Sequence, residues 1–343
     1  MSKKSVGDIL NRKERYKKDI LELLDTKERK VAYHFNCPDG IVSAAIMRYL
    51  YSLENLEFIP IDYALLKNKE IANKLKNANW FAIVDLEPFN IKTLEYFFDH
   101  HISNENKEIN AKKHVFEAGA PSAASLIGEY FLSLLPDFLL ELAKMTEITD
   151  TASYSTPPPL ELEEEFTQSW DRKIWLLEDA CKTAFSVHQH GELVEILANE
   201  GLKGVFKGNI QKRVKKLRTS RKRAFDIVHE IKKTDFVIII DRPVHYNISF
   251  IAGEVMKNGS IGAAYITEYP DEVKISFRLS KALSDKEIDK FRVDLLAQSM
   301  SGGGHKPASG AETETLEEAL TKIEHWGKNL NFDIETIDLR ERE

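Results

Sequence analysis

The chain has 343 residues, enough for two domains at about 150 residues each. Its 48 Lys and Arg against 55 Asp and Glu give a formal charge of −7, which excludes a protein that coats DNA through its overall charge and confines any nucleic-acid contact to a local basic surface. Apolar residues at 43% supply material for real cores, and only two cysteines, Cys37 and Cys181, exclude a disulfide scaffold and point to a reducing, cytoplasmic setting.

The start, MSKKSVGDILNRKERYKKDI, lacks the apolar stretch of a signal peptide. Apolar spacing over residues 6–29 predicts a helix packed on the body of the protein. Short apolar runs then alternate with helical patterns. Val31–His34, Glu57–Tyr63, Trp80–Asp85, Tyr96–Asp99 and His114–Phe116 read as strands, and Gly40–Leu53, Lys67–Asn77 and Pro121–Leu135 read as helices. Strand then helix, repeated, predicts an α/β domain with a parallel sheet covered on both faces, whose ligands collect outside the carboxyl ends of the strands.

From Pro136 the pattern turns helical, broken at STPPPLE (155–161), where three prolines require an extended loop. Leu202 to Lys233 carries twelve Lys or Arg and one apolar stripe (Val214, Leu217, Phe225, Val228). It reads as a long connecting helix with a solvated charged face, or alternatively as a basic wall beside a nucleic-acid groove. A second, smaller α/β domain begins near Asp235. Phe236–Ile240, Ile261–Thr267 and Val273–Leu279 are strand-like, and Ser249–Lys257 and Val293–Met300 helical. SGGGHKPASGA (301–311) follows as a loop, then a closing helix near Thr315–Leu330. Phe236 to Ile240 is the longest clear apolar run, far short of the roughly 18 residues of a spanning helix, so no membrane contact is expected.

Three polar clusters follow strand-like runs: HFNCPDG at 34–40, Asp85 after WFAIV, and Asp99-His100-His101 after YFF. A fourth acid, Asp150, sits in EITDT. Each has an ordinary reading. Asp39-Gly40 suits a turn before a helix, Asp85 and Asp150 suit caps, and the glycines at 302–304 suit a flexible turn. Together, histidines and carboxylates on one rim suit a pair of divalent ions, and a carboxylate between them would build a clamp for phosphoryl transfer to water.

The order HFNCPDG, VDLEP, FFDHH, EITDT resembles the four motifs of the DHH phosphoesterase superfamily. VKISFRLS (273–280) with FRVDLLAQSMSGGGHKPASGA (291–311) resembles the C-terminal domain that accompanies many DHH domains. The likeness runs from about Val31 to Ala311. It implies a DHH domain over 1–200, a helical linker over 201–234 and a substrate-binding domain over 235–343. It also implies a two-metal hydrolase, usually using Mn²⁺, with Mg²⁺ or Zn²⁺ as alternatives. His34, Asp39, Asp85, His100 and Asp150 would hold the ions, with Asp85 the bridge. His101 would lie near the metals or the scissile phosphate, and Asp99 would orient a histidine. Arg278 and Gly302, Gly303, Gly304 and His305 would hold the far end of the substrate across a groove, through a guanidinium fork and exposed backbone N–H groups.

The compact size resembles the nano-RNase and phosphoadenosine-phosphate phosphatase group. The expected activity is hydrolysis of short RNA or DNA oligonucleotides to mononucleotides. A 3′,5′-bisphosphonucleotide phosphatase, or a degenerate DHH module that senses nucleotides or RNA ends, are the alternatives, and a homodimer is left open. The departure from the family is at Cys37, which stands where the first of two aspartates is usual. It would be a thiolate ligand favouring softer ions, a bystander, or the mark of a lost first ion. The bystander reading is favoured, because Pro38 restrains the loop and would turn the thiol away.

Overall fold

Every residue of Trp80–Val84 is buried, as a strand covered on both faces requires. In this computed structural model, which describes residues 3–66, 68–89, 94–242, 248–269 and 272–340, that run is the central strand of a parallel sheet. The sheet contains β1 (Arg29–His34), β2 (Leu56–Ile61), β3 (Trp80–Val84), β4 (Leu94–Asp99) and β5 (Ala111–Phe116), in the order β2-β1-β3-β4-β5. All four pairings are parallel.

Side chains alternate between two cores. Val31, Tyr33, Val84 and Phe98 pack on one face with Ile41, Ala44, Ala45 and Ile46 of α2 (Pro38–Leu50). Ala32, Ile83 and Phe97 pack on the other face with Tyr16, Ile20 and Leu24 of the N-terminal helix α1 (Lys3–Asp25). Helix α2 starts two residues earlier than the sequence pattern implies, because Pro38 occupies its first turn, where a missing N–H costs nothing. The expected helix over 121–135 is shorter, Ala123–Tyr130, capped by the Ser122 hydroxyl accepting from the Ser125 N–H. A single 3₁₀ turn at Leu132–Leu134 follows.

The second sheet comprises β6 (Phe236–Asp241), β7 (Gly262–Glu268), β8 (Val273–Leu279), β9 (Gly303–His305), β10 (Ala308–Thr313) and β11 (Ile334–Asp338), in the order β11-β6-β7-β8-β10-β9. It is mixed: β11, β6 and β7 run parallel, and the remaining pairings are antiparallel. Two features depart from the sequence reading. The segment read as a loop at 301–311 is mostly a hairpin of β9 and β10, because β8 supplies a ladder that glycine-rich strands would not hold alone. Gly302 allows this approach: a side chain there would strike the Gly310 carbonyl at 2.0 Å. Strand β11, beyond the closing helix, was not anticipated; it covers the edge of β6.

The chain divides into two compact units. Asn11–Leu217 carries the parallel sheet, and Arg218–Glu343 with Met1–Leu10 carries the mixed sheet. The division falls inside the helix Gly208–His229, where Val214, Leu217, Phe225 and Val228 are buried as the stripe requires. Arg218 and Arg221 are buried as well, so the basic face is not wholly solvated. Among the described residues no helix is long and apolar enough to cross a membrane.

One contact fixes helix α2 against the end of β1. A Cβ on Gly40 would lie 2.5 Å from the His34 carbonyl oxygen and 2.9 Å from the His34 Cβ. Gly40→Ala is therefore expected to force the helix off the strand and to cost about 1–3 kcal/mol of stability, as overpacking does. Chemical denaturation measures it, and an unchanged midpoint would mean that the helix moves freely.

Candidate metal centre

Strands β1, β3 and β4 are neighbours and parallel, so their carboxyl ends share one edge of the sheet. His34 is the last residue of β1, Asp85 follows β3, and Asp99, His100 and His101 close β4. Two helices deliver the other acids: Asp39 from the first turn of α2, and Asp150 as the last residue of the helix Asp137–Asp150. Asp85 takes a left-handed backbone, φ 53°, and its N–H donates to the Phe98 carbonyl at 3.0 Å. Asp is among the few residues that tolerate this conformation.

The side chains converge. His34 Nδ1 lies 3.5 Å from Asp85 Oδ2. His100 Nε2 lies 3.4 Å from Asp39 Oδ2, 3.5 Å from Asp150 Oδ2 and 3.8 Å from Asp85 Oδ1. Three overlapping groups result: His34, Cys37 and Asp85; Asp85, His100 and His101; and Asp39, His100 and Asp150, with donor atoms in each within 4.8 Å of one another. Asp39 thus joins Asp150 rather than His34. The thiol of Cys37 joins His34 and Asp85, so Pro38 does not turn it away.

Neighbouring groups hold these donors in place. Both oxygens of Asp39 accept backbone N–H bonds, from Ala123 and Ala124, at 2.7 Å each. His100 Nδ1 lies 2.8 Å from the Ala120 carbonyl oxygen. A carbonyl only accepts, so Nδ1 carries a proton and Nε2 faces the acids. His101 Nδ1 meets Asp99 Oδ1 at 2.7 Å, and Asn104 donates to the other Asp99 oxygen at 2.6 Å. Sequence reasoning missed Asn104 and the turn at 120–124. Backbone donors have no residue-type signature, although the pattern over Pro121–Leu135 does imply a helix there.

The donors fit divalent ions. Asp85 is fully buried, and neither of its oxygens nor His100 Nε2 has a hydrogen-bond partner. A buried group left so costs about 1–3 kcal/mol, more when charged. A cation bound by nitrogen and oxygen donors removes that penalty. Charge interactions run the same way. Burial, then the Asp85 charge, pushes the Asp39 carboxyl well up. Burial pushes Asp85 up too, but the imidazoles of His100 and His34 outweigh it and hold the group below the usual carboxylate range. Burial lowers His100, yet the acids around it, Asp85 first, push it up to about 9.

No family model and no curated protein matches the chain. Solved structures do. A pGpG-specific phosphodiesterase, PggH from Vibrio, matches with TM-score 0.61 and 16% identity over 89% of this chain and 99% of that one. RecJ from Thermus thermophilus, in complex with Mn²⁺, matches with TM-score 0.52 and 15% identity over 96% of this chain and 56% of that one. A second exonuclease RecJ, bound to manganese, matches with TM-score 0.50 and 14% identity over 92% and 94%. The chain shares its fold with these three proteins. At these identities the fold is what is shared.

The second unit places Arg278 and His305 in register on one sheet. Arg278 on β8 pairs with Ala308 on β10, which pairs with His305 on β9. Residues in such register share one face. Arg278 is partly buried, which lowers its pKa, and its guanidinium donates to the Phe277 carbonyl at 2.7 Å. Among the described residues no carboxylate pairs with it. His305 is exposed, and Gly303 and Gly304 lie in β9 beside it, with Gly302 just before. A cavity of about 550 Å³ lined by Phe138, Glu141, Phe166 and Lys203 contains none of these residues.

A pH dependence follows from His100. Its folded pKa of about 9 exceeds the ordinary 6.5. Its contacts with the acids therefore stabilise the metal-free fold fully below pH 6.5, and that contribution is lost as pH rises through about 9. A bound ion must displace the same proton. Metal affinity is expected to climb between pH 6.5 and about 9, with proton release. Calorimetric titration in buffers of different ionisation enthalpy reads both, and affinity flat across that window would remove His100 from the site.

Proposed function

We propose that this protein is a metal-dependent phosphoesterase that hydrolyses short oligonucleotides to mononucleotides. The observation that carries the reading is Asp85: a buried carboxylate with neither oxygen hydrogen-bonded, shared by two neighbouring donor groups. Asp85 would be shared by two divalent ions, which His34 on one side and Asp39, His100 and Asp150 on the other would help to hold, with Mn²⁺ first among the candidates. When bound, such ions supply a water of lowered pKa and positive charge for the phosphoryl oxygens.

The remaining residues have roles that need no ion. Asp99, fixed by Asn104, orients His101 and raises its pKa through their hydrogen bond. His101 is thereby kept able to donate a proton or hydrogen bond to a phosphate oxygen or leaving group. Arg278 offers a substrate phosphate a guanidinium that no carboxylate among the described residues engages, with His305 on the same sheet face. The solved structures support a nucleotide substrate: one acts on pGpG by its description, and two are RecJ proteins with manganese.

The test is incubation of the purified protein with RNA and DNA di- to decanucleotides, a 3′,5′-bisphosphonucleotide and pyrophosphate, under Mn²⁺, Mg²⁺ or Zn²⁺. Release of mononucleotides from the short oligonucleotides is expected, and Asp85→Ala should abolish it. Arg278→Ala should raise KM for oligonucleotides about ten- to hundredfold, the worth of a charged hydrogen bond, while sparing turnover of a minimal phosphodiester. Nucleotide binding without hydrolysis would favour a sensor, and faster release of phosphate from the bisphosphonucleotide would favour a phosphatase.

A further inference from the structure

We infer that Cys37 is a sulfur donor to one ion, so that the two metal sites are chemically unequal. This rests on the two-ion reading above and goes beyond it. One site would comprise His34, Cys37 and Asp85; the other, Asp39, His100 and Asp150 with Asp85 shared, would use only nitrogen and oxygen.

Four observations carry the assignment. The sulfur lies within 4.8 Å of the donor atoms of both His34 and Asp85, close enough for one ion to be reached by all three. Asp85, fully buried in that group, leaves both oxygens without a hydrogen bond. Cys37 occupies the N-cap of helix α2, three residues after His34, the last residue of β1. Asp39, the carboxylate nearest in sequence, is held by two backbone N–H groups and turned toward His100. Among the described residues the His34 group therefore has no second carboxylate, and the sulfur completes it.

On ligation the Cys37 S–H proton passes to solvent and the thiolate electron pair bonds the metal. Thiolate favours zinc and similar borderline ions, whereas carboxylates and imidazole alone suit Mn²⁺ or Mg²⁺. The His34 site would thus select a different ion from its neighbour.

Cobalt(II) titration of the intact chain tests this by a readout independent of turnover. The wild type should develop a near-ultraviolet sulfur-to-cobalt charge-transfer band. Cys37→Ser and Cys37→Asp should lose it while cobalt stays bound at the second site. Cys181→Ser should keep it, because Cys181 is buried in the apolar core outside every donor group. Cys37→Asp, which restores a hard donor, guards against a folding defect in the serine variant, and should shift preference from Zn²⁺ toward Mn²⁺. Cobalt bound without the band, or a band that survives in both Cys37 variants, would overturn the assignment and leave the two-ion reading standing. Failure of the wild type to bind cobalt at all would overturn both.

Discussion

A buried carboxylate with no hydrogen bond to either oxygen, at the end of the central strand, is the constraint that organises this molecule. Asp85 is buried, its backbone is left-handed, and neither oxygen is hydrogen-bonded. Each condition is unfavourable alone. A buried charge must be paired, and left-handed backbone costs most residues roughly 1–2 kcal/mol. The surroundings make the arrangement tenable by gathering imidazoles around it. His34 approaches from β1 and His100 and His101 from β4, because a parallel sheet ends its strands on one edge.

Three carboxylates, Asp39, Asp85 and Asp150, crowd one imidazole, His100. Burial and their mutual repulsion raise Asp39 and Asp150, and their attraction raises His100. This is the electrostatic pattern of a cation site. The protein resists collapse of the cluster by anchoring its members from behind. Asp39 is clamped by the N-terminus of the helix Ala123–Tyr130, His100 by the Ala120 carbonyl, and His101 by Asp99, itself held by Asn104. Gly40 lets helix α2 close on His34, which brings Cys37 and Asp39 to the same edge.

The parallel sheet was legible because its central strands are near-continuous apolar runs that end in polar residues, as at WFAIV before Asp85. The acids and histidines were legible for the same reason. How they group was not. Sequence order puts Asp39 beside His34, but one helical turn and two N–H groups from residues 123 and 124 turn it toward His100 and Asp150. The direction of the Cys37 side chain likewise depends on how closely α2 meets β1, a distance set by packing. In the second unit, β9 and β10 carry glycines that read as loop, and β11 is five residues long after a strong helix; each exists through pairing with a distant strand.

The central claim, that one buried carboxylate holds two ions, is tested most directly by metal stoichiometry after dialysis, in the wild type and in Asp85→Asn. The substitution keeps shape while removing the shared charge. The account predicts two divalent ions per chain in the wild type and loss of at least one in the variant, with weakened affinity for any that remains. Two ions retained at wild-type affinity in Asp85→Asn would contradict it.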